Sequence, residues 1–469
     1  MFGPIAPPSA LTPHHQGLLA IRFRSSVDEL LGAGDPAASE APGIARLLEL
    51  HAADRLRGTT ALHPEVDHRI AAERRRALRD HLVIAAAHRG GTRAHARAFL
   101  VDVGPRSSVF DDLSERLGAD RHVESVGPVP IRYLMAGRAS AADGGLVAPV
   151  TRNWHLARIA WEPDQRRGYR DAASIRVGVL DSGVDRDHPA LRRTVRGYVH
   201  RYPGLAKVSA RDHLGHGTHV SGIIGGRDPG VDLHGVCRAQ IRVWKIFGDQ
   251  PQLDPSLNLF YYLVEPTLYW RALHACVVEK IDVLNLSLGG TTMDRQIEKP
   301  LFDDLLARGT AIVAATGNMR QSGSPRCFPA ALPKVIAVGA TDENDVVAPF
   351  SSRARHMALT APGVGIWSSL PRYPGNPMFA AVTTAGKTPH RGAPKPRNRH
   401  FDAWPGTSMA APLVAGAVAL LLANRGPMSS EEARTALMKA ADRVPSMKGK
   451  RWTPDYGAGR LNIQRLLAE

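Results

Sequence analysis

The chain is predicted to be an α/β protein: a doubly wound, mainly parallel β-sheet flanked by helices, preceded by a smaller α+β unit. From Trp154 onward, short apolar, β-branched runs alternate with helical ones, among them Ile175-Arg-Val-Gly-Val-Leu180, Val283-Leu-Asn-Leu286, Ala311-Ile-Val-Ala-Ala315 and Val335-Ile-Ala-Val-Gly-Ala340. Strands buried on both faces read as continuous apolar runs, and their alternation with helices indicates βαβ units. The polar residues with chemical potential also fall where such a sheet concentrates function. Asp181 and Asn318 end strands, while His216 and Ser408 begin apolar helices, and open α/β sheets bind at the carboxyl ends of their strands.

The first part of the chain carries shorter signals. Leu18–Arg24 alternates as a strand does, Ile44–Leu50 has helical spacing, and Asp67–His81 reads as a charged amphipathic helix. Ala98–Val103 is strand-like, Ser108–Leu117 is a helix opened by a serine cap, and His122–Leu134 returns as extended chain. The Gly- and Ala-rich stretch Met135–Val147 is the natural linker and a candidate region for self-cleavage. The expected division is an N-terminal region over 1–140, a linker over 141–151 and the main domain over 152–469.

Length and composition bound the possibilities. A chain of 469 residues with ordinary apolar and charged fractions has room for a large core and a second unit. Its three cysteines, Cys237, Cys276 and Cys327, are an odd number at unrelated spacings, which fits reduced thiols better than a disulfide framework or a metal site. Met1-Phe-Gly-Pro-Ile-Ala-Pro-Pro8 lacks a basic region followed by an apolar one, and no apolar run reads as a membrane span. The expectation is a cytoplasmic protein without a transmembrane segment. The net charge of +16 is spread over scattered arginines, with clusters at Arg74–Arg79 and Lys387–His400. Charge without a recognisable binding motif makes nucleic acid an unlikely partner.

The chemistry lies in four local motifs. Ser408 sits in Gly406-Thr-Ser-Met-Ala-Ala-Pro412, a small-residue turn opening an apolar helix, and a serine hydroxyl needs a base and an orienting acid to become a nucleophile. Both lie upstream, in the strand ending at Asp181-Ser-Gly183 and in His216-Gly-Thr-His-Val-Ser-Gly222. A fourth motif, Ala311-Ile-Val-Ala-Ala-Thr-Gly-Asn318, ends a strand in a carboxamide.

The order Asp181, His216, Ser408 and these motifs resemble the subtilisin-like serine proteases, the subtilase family, over about residues 150–469. Val283–Gly290, Val335–Ala340, Phe350–Ser352 and Ala361–Gly363 also resemble family segments. The resemblance implies a serine endopeptidase with Asp181, His216 and Ser408 as catalytic triad and the Asn318 side chain in the oxyanion hole. It implies that substrate lies along Ser287, Leu288 and Gly289 and that Ala314, Thr316 and Gly317 wall the pocket for the residue before the scissile bond. Cys327 is expected near its floor and Met319 near its rim, giving an apolar preference, with Cys327 a buried small hydrophobe rather than a reactive thiol. His219 matches the family's non-catalytic histidine. No cofactor is required, and the structural calcium often found in the family is doubtful. Ala190 and Pro229 stand where side-chain oxygens are expected, although Asp228 and Asp232 are nearby.

The N-terminal region resembles the family's propeptide, an intramolecular inhibitor; the other reading is an unrelated regulatory or interaction domain. Residues 370–405 are longer than the usual connection, and read as a mobile surface insertion, as a gate to the cleft or as a binding site for an acidic partner. A dedicated maturation protease acting on one precursor, and a catalytically suppressed binding protein, are the alternative functions.

Overall fold

The computed structural model describes residues 14–24, 46–47, 58–61, 82–83, 98–103, 108–134, 152–202, 208–254, 259–295, 297–383 and 389–468. Its centre is a seven-stranded parallel sheet. The strands are β7 (Arg176–Asp181), β8 (Val195–Val199), β11 (Gln240–Lys245), β14 (Val283–Leu286), β16 (Ala311–Ala315), β17 (Ile336–Thr341) and β18 (Leu359–Pro362). They lie in the order β18-β17-β16-β14-β7-β11-β8. The doubly wound class expected from the sequence is therefore observed.

The apolar runs split by period two between the faces of this sheet. Val177, Val179, Val313, Ala315, Ile336 and Val338 enter one buried cluster, while Leu180, Leu284, Leu286, Ile312, Ala314 and Ala337 enter the other. Two helices rich in small residues and one-carbon branches cover the first face through Val220, Ile223, Leu413 and Val414. Two others cover the second through Leu268, Trp270, Leu301 and Leu305. The last four residues lie on the helices Pro266–Val278 and Glu298–Ala307.

Contrary to the expectation that no apolar run reads as a membrane span, the helix Thr407–Arg425 is long and apolar enough to cross a membrane by length and composition. It is instead the central core helix. Residues 407–422 are all buried within the protein, against the first face of the sheet.

The N-terminal unit is a five-stranded sheet of β1 (His14–Phe23), β2 (Gly58–Ala61), β3 (Leu82–Val83), β4 (Ala98–Asp102) and β5 (Val123–Pro130), in the order β3-β2-β4-β1-β5. The expected helix after β4 is present over Ser108–Ala119. Ala20, Ala98, Leu100 and Val129 share a buried cluster with Leu268 and Trp270, so this sheet packs on the helices of the second face. The helix expected over Asp67–His81, the cluster Arg74–Arg79, most of the helix expected over Ile44–Leu50 and the linker Met135–Val147 lie outside the described residues.

Residues 370–405 depart from the mobile insertion expected of them. β20 (Met378–Val382) and β21 (His390–Lys395) pair with each other, and β20 pairs with β13 (Leu259–Tyr261), which in turn pairs with β12 (Gln252–Asp254). β22 (Phe401–Trp404) pairs with β19 (Ile366–Ser369). Two further strands, β9 (Arg227–Asp228) and β10 (Leu233–His234), form a small ribbon. The physical reason for order is Arg397, whose buried guanidinium donates to the carbonyls of Asp212, His213, Pro371, Tyr373 and Asn398. A composition rich in Pro, Gly and cations concealed one cation that ties the segment to the loop before His216. Replacing Arg397 with Ala leaves those carbonyls without their donor and is expected to cost about 2–3 kcal/mol of unfolding free energy. Denaturant titration of the two chains measures it, and an unchanged midpoint would show that Arg397 does not anchor the segment.

Candidate active site

Asp181 is the last residue of β7, and its carboxylate is fully buried. The fold brings it beside the first residue of the helix His216–Gly225. His216 Nδ1 lies 2.8 Å from Asp181 Oδ1 and 2.9 Å from Oδ2, and the Ser182 amide donates to Oδ1 at 2.7 Å. This approach depends on Gly217, where a Cβ would stand 2.1 Å from the Gly183 carbonyl oxygen and 3.0 Å from Asp181 Cβ.

A second buried carboxylate, Asp212, builds the start of the same helix. It accepts from the Gly215 amide at 2.8 Å, the Thr218 amide at 3.0 Å, the Thr218 hydroxyl at 2.7 Å and the Ser182 hydroxyl at 2.8 Å. Ser182 Oγ in turn accepts from the Gly217 amide at 3.0 Å. Asp212 thus caps orphan amides at the helix N-terminus and joins it to the strand bearing Asp181. The sequence reading missed it. Its signal was an Asp four residues before His216, at the head of an apolar helix.

Ser408 is the second residue of the helix Thr407–Arg425 and is fully buried. Pro412 has no amide hydrogen, so the Ser408 carbonyl lacks its intrahelical donor. Ser287 supplies one: its hydroxyl donates to the Ser408 carbonyl at 2.9 Å, and the Ser408 hydroxyl donates back to the Ser287 carbonyl at 2.9 Å. The loop after β14 is thereby fastened to the start of the core helix.

Asn318 follows β16. Its Oδ1 accepts from the Thr407 amide at 3.1 Å and the Thr407 hydroxyl at 2.8 Å. A backbone amide can only donate, so this pair fixes which end of the carboxamide is oxygen and leaves Nδ2 pointing elsewhere. Asn318 Nδ2 and His216 Nε2 are both buried without a hydrogen-bond partner among the described residues. Leaving such groups unpaired costs about 1–3 kcal/mol each, which marks a place built for something else. The structure therefore joins Asp181 to His216, Asn318 to the residue before Ser408, and Ser408 to Ser287. His216 and Ser408 do not hydrogen-bond each other.

Ser287, Leu288, Ala314, Thr316 and Cys327 are all buried. Thr316 satisfies its hydroxyl on the Val338 carbonyl at 3.1 Å. The Met319 methyl and the Cys327 sulfur lie 3.2 and 3.5 Å from where a Cβ on Gly317 would stand. Burial pushes the Cys327 thiol up to about 12. It is a packed hydrophobe in this state, with almost no thiolate.

A model of the subtilase family matches residues 172–459, a span holding Asp181, His216, Asn318 and Ser408. The chain belongs to the subtilase family. It is 31% identical over 301 residues to subtilisin E of Bacillus subtilis (strain 168), covering 64% of this chain and 66% of that one. The subtilisin of Bacillus pumilus is equally similar over 301 residues and is covered to 92%. Fervidolysin from Fervidobacterium pennivorans, a keratinolytic enzyme related to subtilisin, shares the fold with a TM-score of 0.63 and 20% identity. That match covers 100% of this chain and 63% of fervidolysin.

One edge of this subtilase site is already paired. β15 (Leu288–Gly289) forms an antiparallel bridge with β6 (Tyr133–Leu134), in the register Leu288 to Leu134 and Gly289 to Tyr133. The strand comes close because residue 290 is glycine: a Cβ there would stand 2.2 Å from the Ile131 carbonyl oxygen.

His219 is no base in this arrangement. Its Nε2 meets the Asp402 carbonyl at 3.2 Å, and its ring stacks on Trp404 at 4.8 Å. Burial lowers its pKa from 6.5 to about 3, and burial followed by Arg166 lowers that of His155 to about 3 as well. Both depressed values mean that the unfolded chain binds these protons first. The stability they confer is complete above pH 6.5 and is lost as pH falls toward 3, at about 1.4 kcal/mol per pH unit for each histidine. Denaturant titrations of a Ser408→Ala chain at successive pH values should show this slope, shallower by one histidine's share in His155→Asn. A flat profile through that range would contradict the assignment.

Proposed function

We propose that this chain is a serine endopeptidase that cuts peptide bonds through an acyl-enzyme on Ser408 and is held in check by its own N-terminal unit. The observation carrying the reading is the pairing of β6 with β15, beside a buried Asp181–His216 pair and two unpartnered donors or acceptors at His216 and Asn318. An extended peptide added to a sheet edge is a common mode of peptide recognition.

The roles follow from the hydrogen bonds. An amide of the bound peptide takes the Ser287 carbonyl that now receives the Ser408 hydroxyl. The freed hydroxyl turns to His216 Nε2, which accepts its proton as Oγ attacks and later returns it to the leaving amine. Asp181 holds Nδ1–H, fixing the tautomer and stabilising the imidazolium. Asn318 Nδ2 donates to the developing oxyanion, with Thr407 keeping the amide from turning over. Ala314, Thr316, Gly317 and Cys327 wall an apolar pocket for the residue before the scissile bond. No calcium is expected at Ala190 and Pro229, where Arg192, Arg193, Arg196 and Arg227 line the cavity together with only two carboxylates, Asp171 and Asp228.

Leu134 faces Leu288 and Ser287 is the next position toward the nucleophile, so self-cleavage is expected just after Met135. Intact mass after incubation at neutral pH should show that cut in the wild type and not in Ser408→Ala. An identical cut in both would remove Ser408 from the chemistry, and no cut in either would make the N-terminal unit a retained domain. Asn318→Ala should stay folded, with a melting temperature lowered by the loss of its two Thr407 bonds, while kcat on a peptide falls roughly a hundredfold or more. A loss below threefold would exclude an oxyanion role.

A further inference from the structure

The strand that occupies the substrate edge carries a charged side chain into the protein. Arg132, just before Tyr133, is buried, and its guanidinium meets Glu298, itself buried at the start of the helix Glu298–Ala307. Nε donates to Glu298 Oε1 at 3.0 Å and Nη2 donates to Oε2, a two-pronged contact that a planar guanidinium makes and an ammonium cannot. The Tyr269 hydroxyl donates to the same Oε1 at 2.9 Å. Nη2 also lies 3.8 Å from the Met293 sulfur, and Nη1 donates to the Ile131 carbonyl at 3.2 Å. Val264, Pro266 and Trp270 complete the walls. Apart from Pro130 and Arg132, every one of these lining residues lies in the peptidase part of the chain.

We infer that Glu298 and Tyr269 form a substrate subsite that selects arginine. The inference rests on the endopeptidase reading, and deepens it. When the N-terminal strand leaves, the carboxylate stays in an apolar-walled recess with one hydroxyl as its partner. A substrate on the same edge, in the same register, returns a cation to it by placing arginine two residues before the residue facing Leu288. That is three residues before the one reaching Ser287. A neutral side chain there leaves Glu298 desolvated and uncompensated, so discrimination comes from the unpaired charge as much as from the new bonds.

Two measurements test it. The first compares hydrolysis by the self-processed wild type of Pro-Ile-Arg-Tyr-Leu-Met-Ala-Gly, the chain's own residues 130–137, with the same peptide carrying citrulline, a neutral isostere, in place of arginine. The arginine peptide should have a kcat/KM about thirtyfold higher or more. In Glu298→Gln the ratio should fall to a few-fold, through loss on the arginine peptide with citrulline cleavage retained. Equal cleavage of both peptides by the wild type overturns the subsite and leaves the endopeptidase reading standing.

The second needs no catalysis. In the full-length Ser408→Ala, Arg132→Ala chain, millimolar ethylguanidinium should raise the melting temperature and ethylurea should not. The rise should vanish when Glu298→Gln is added. Rescue without cleavage of either peptide would sink the endopeptidase reading and keep the guanidinium pocket. No selective rise overturns the pocket whatever the activity.

Discussion

The site depends on burying the Asp181 carboxylate against an imidazole without leaving the carboxylate short of hydrogen bonds. An unpaired carboxylate at that depth would cost several kcal/mol. Asp181 escapes the cost by taking the Ser182 amide and His216 Nδ1, and the parallel sheet makes this possible by ending β7 where a helix begins. The other requirements follow. Residue 217 must lack a side chain, Asp212 must cap the helix that presents His216, and Ser182 must link the two. Pro412 acts in the same way at the opposite helix, freeing the Ser408 carbonyl so that Ser287 can fasten the edge at Leu288 to the start of the helix that bears Ser408.

The resting arrangement is closed rather than poised. Ser408 donates to the Ser287 carbonyl, the edge at Leu288 and Gly289 is paired, and a bidentate Arg132–Glu298 contact pins the paired strand. Breaking such a buried pair by removing one partner is strongly destabilising, whereas exchanging one guanidinium for another is nearly neutral. The N-terminal strand is therefore displaced more readily by a peptide that brings its own arginine. In the proposed reading, inhibition and selectivity rest on the same two residues, Glu298 and Tyr269.

The parallel sheet was legible because strands buried on both faces leave unbroken apolar runs. Asp181, His216, Asn318 and Ser408 were legible because each stands at a strand end or helix start in a distinctive local motif. What escaped was set by contacts distant in sequence. Nothing near Arg132 announces a partner 166 residues away, nor does Arg397 announce five carbonyls. Asp212 was within reach of a local reading, but its role depends on Ser182, which only the fold brings beside it. The hydroxyl of Ser408, turned to Ser287 rather than to His216, is likewise a property of the assembled site.

The proposed chemistry stands or falls on whether Asp181 and His216 make Ser408 a nucleophile. The direct measurement is the rate of covalent labelling by a fluorophosphonate, mapped by peptide mass, in the self-processed wild type and in intact Asp181→Asn and His216→Ala chains incubated alongside it. One adduct is expected, on Ser408, forming at least about a thousandfold more slowly in either variant. Labelling at another residue, or of Ser408 at the same rate without His216, would contradict it.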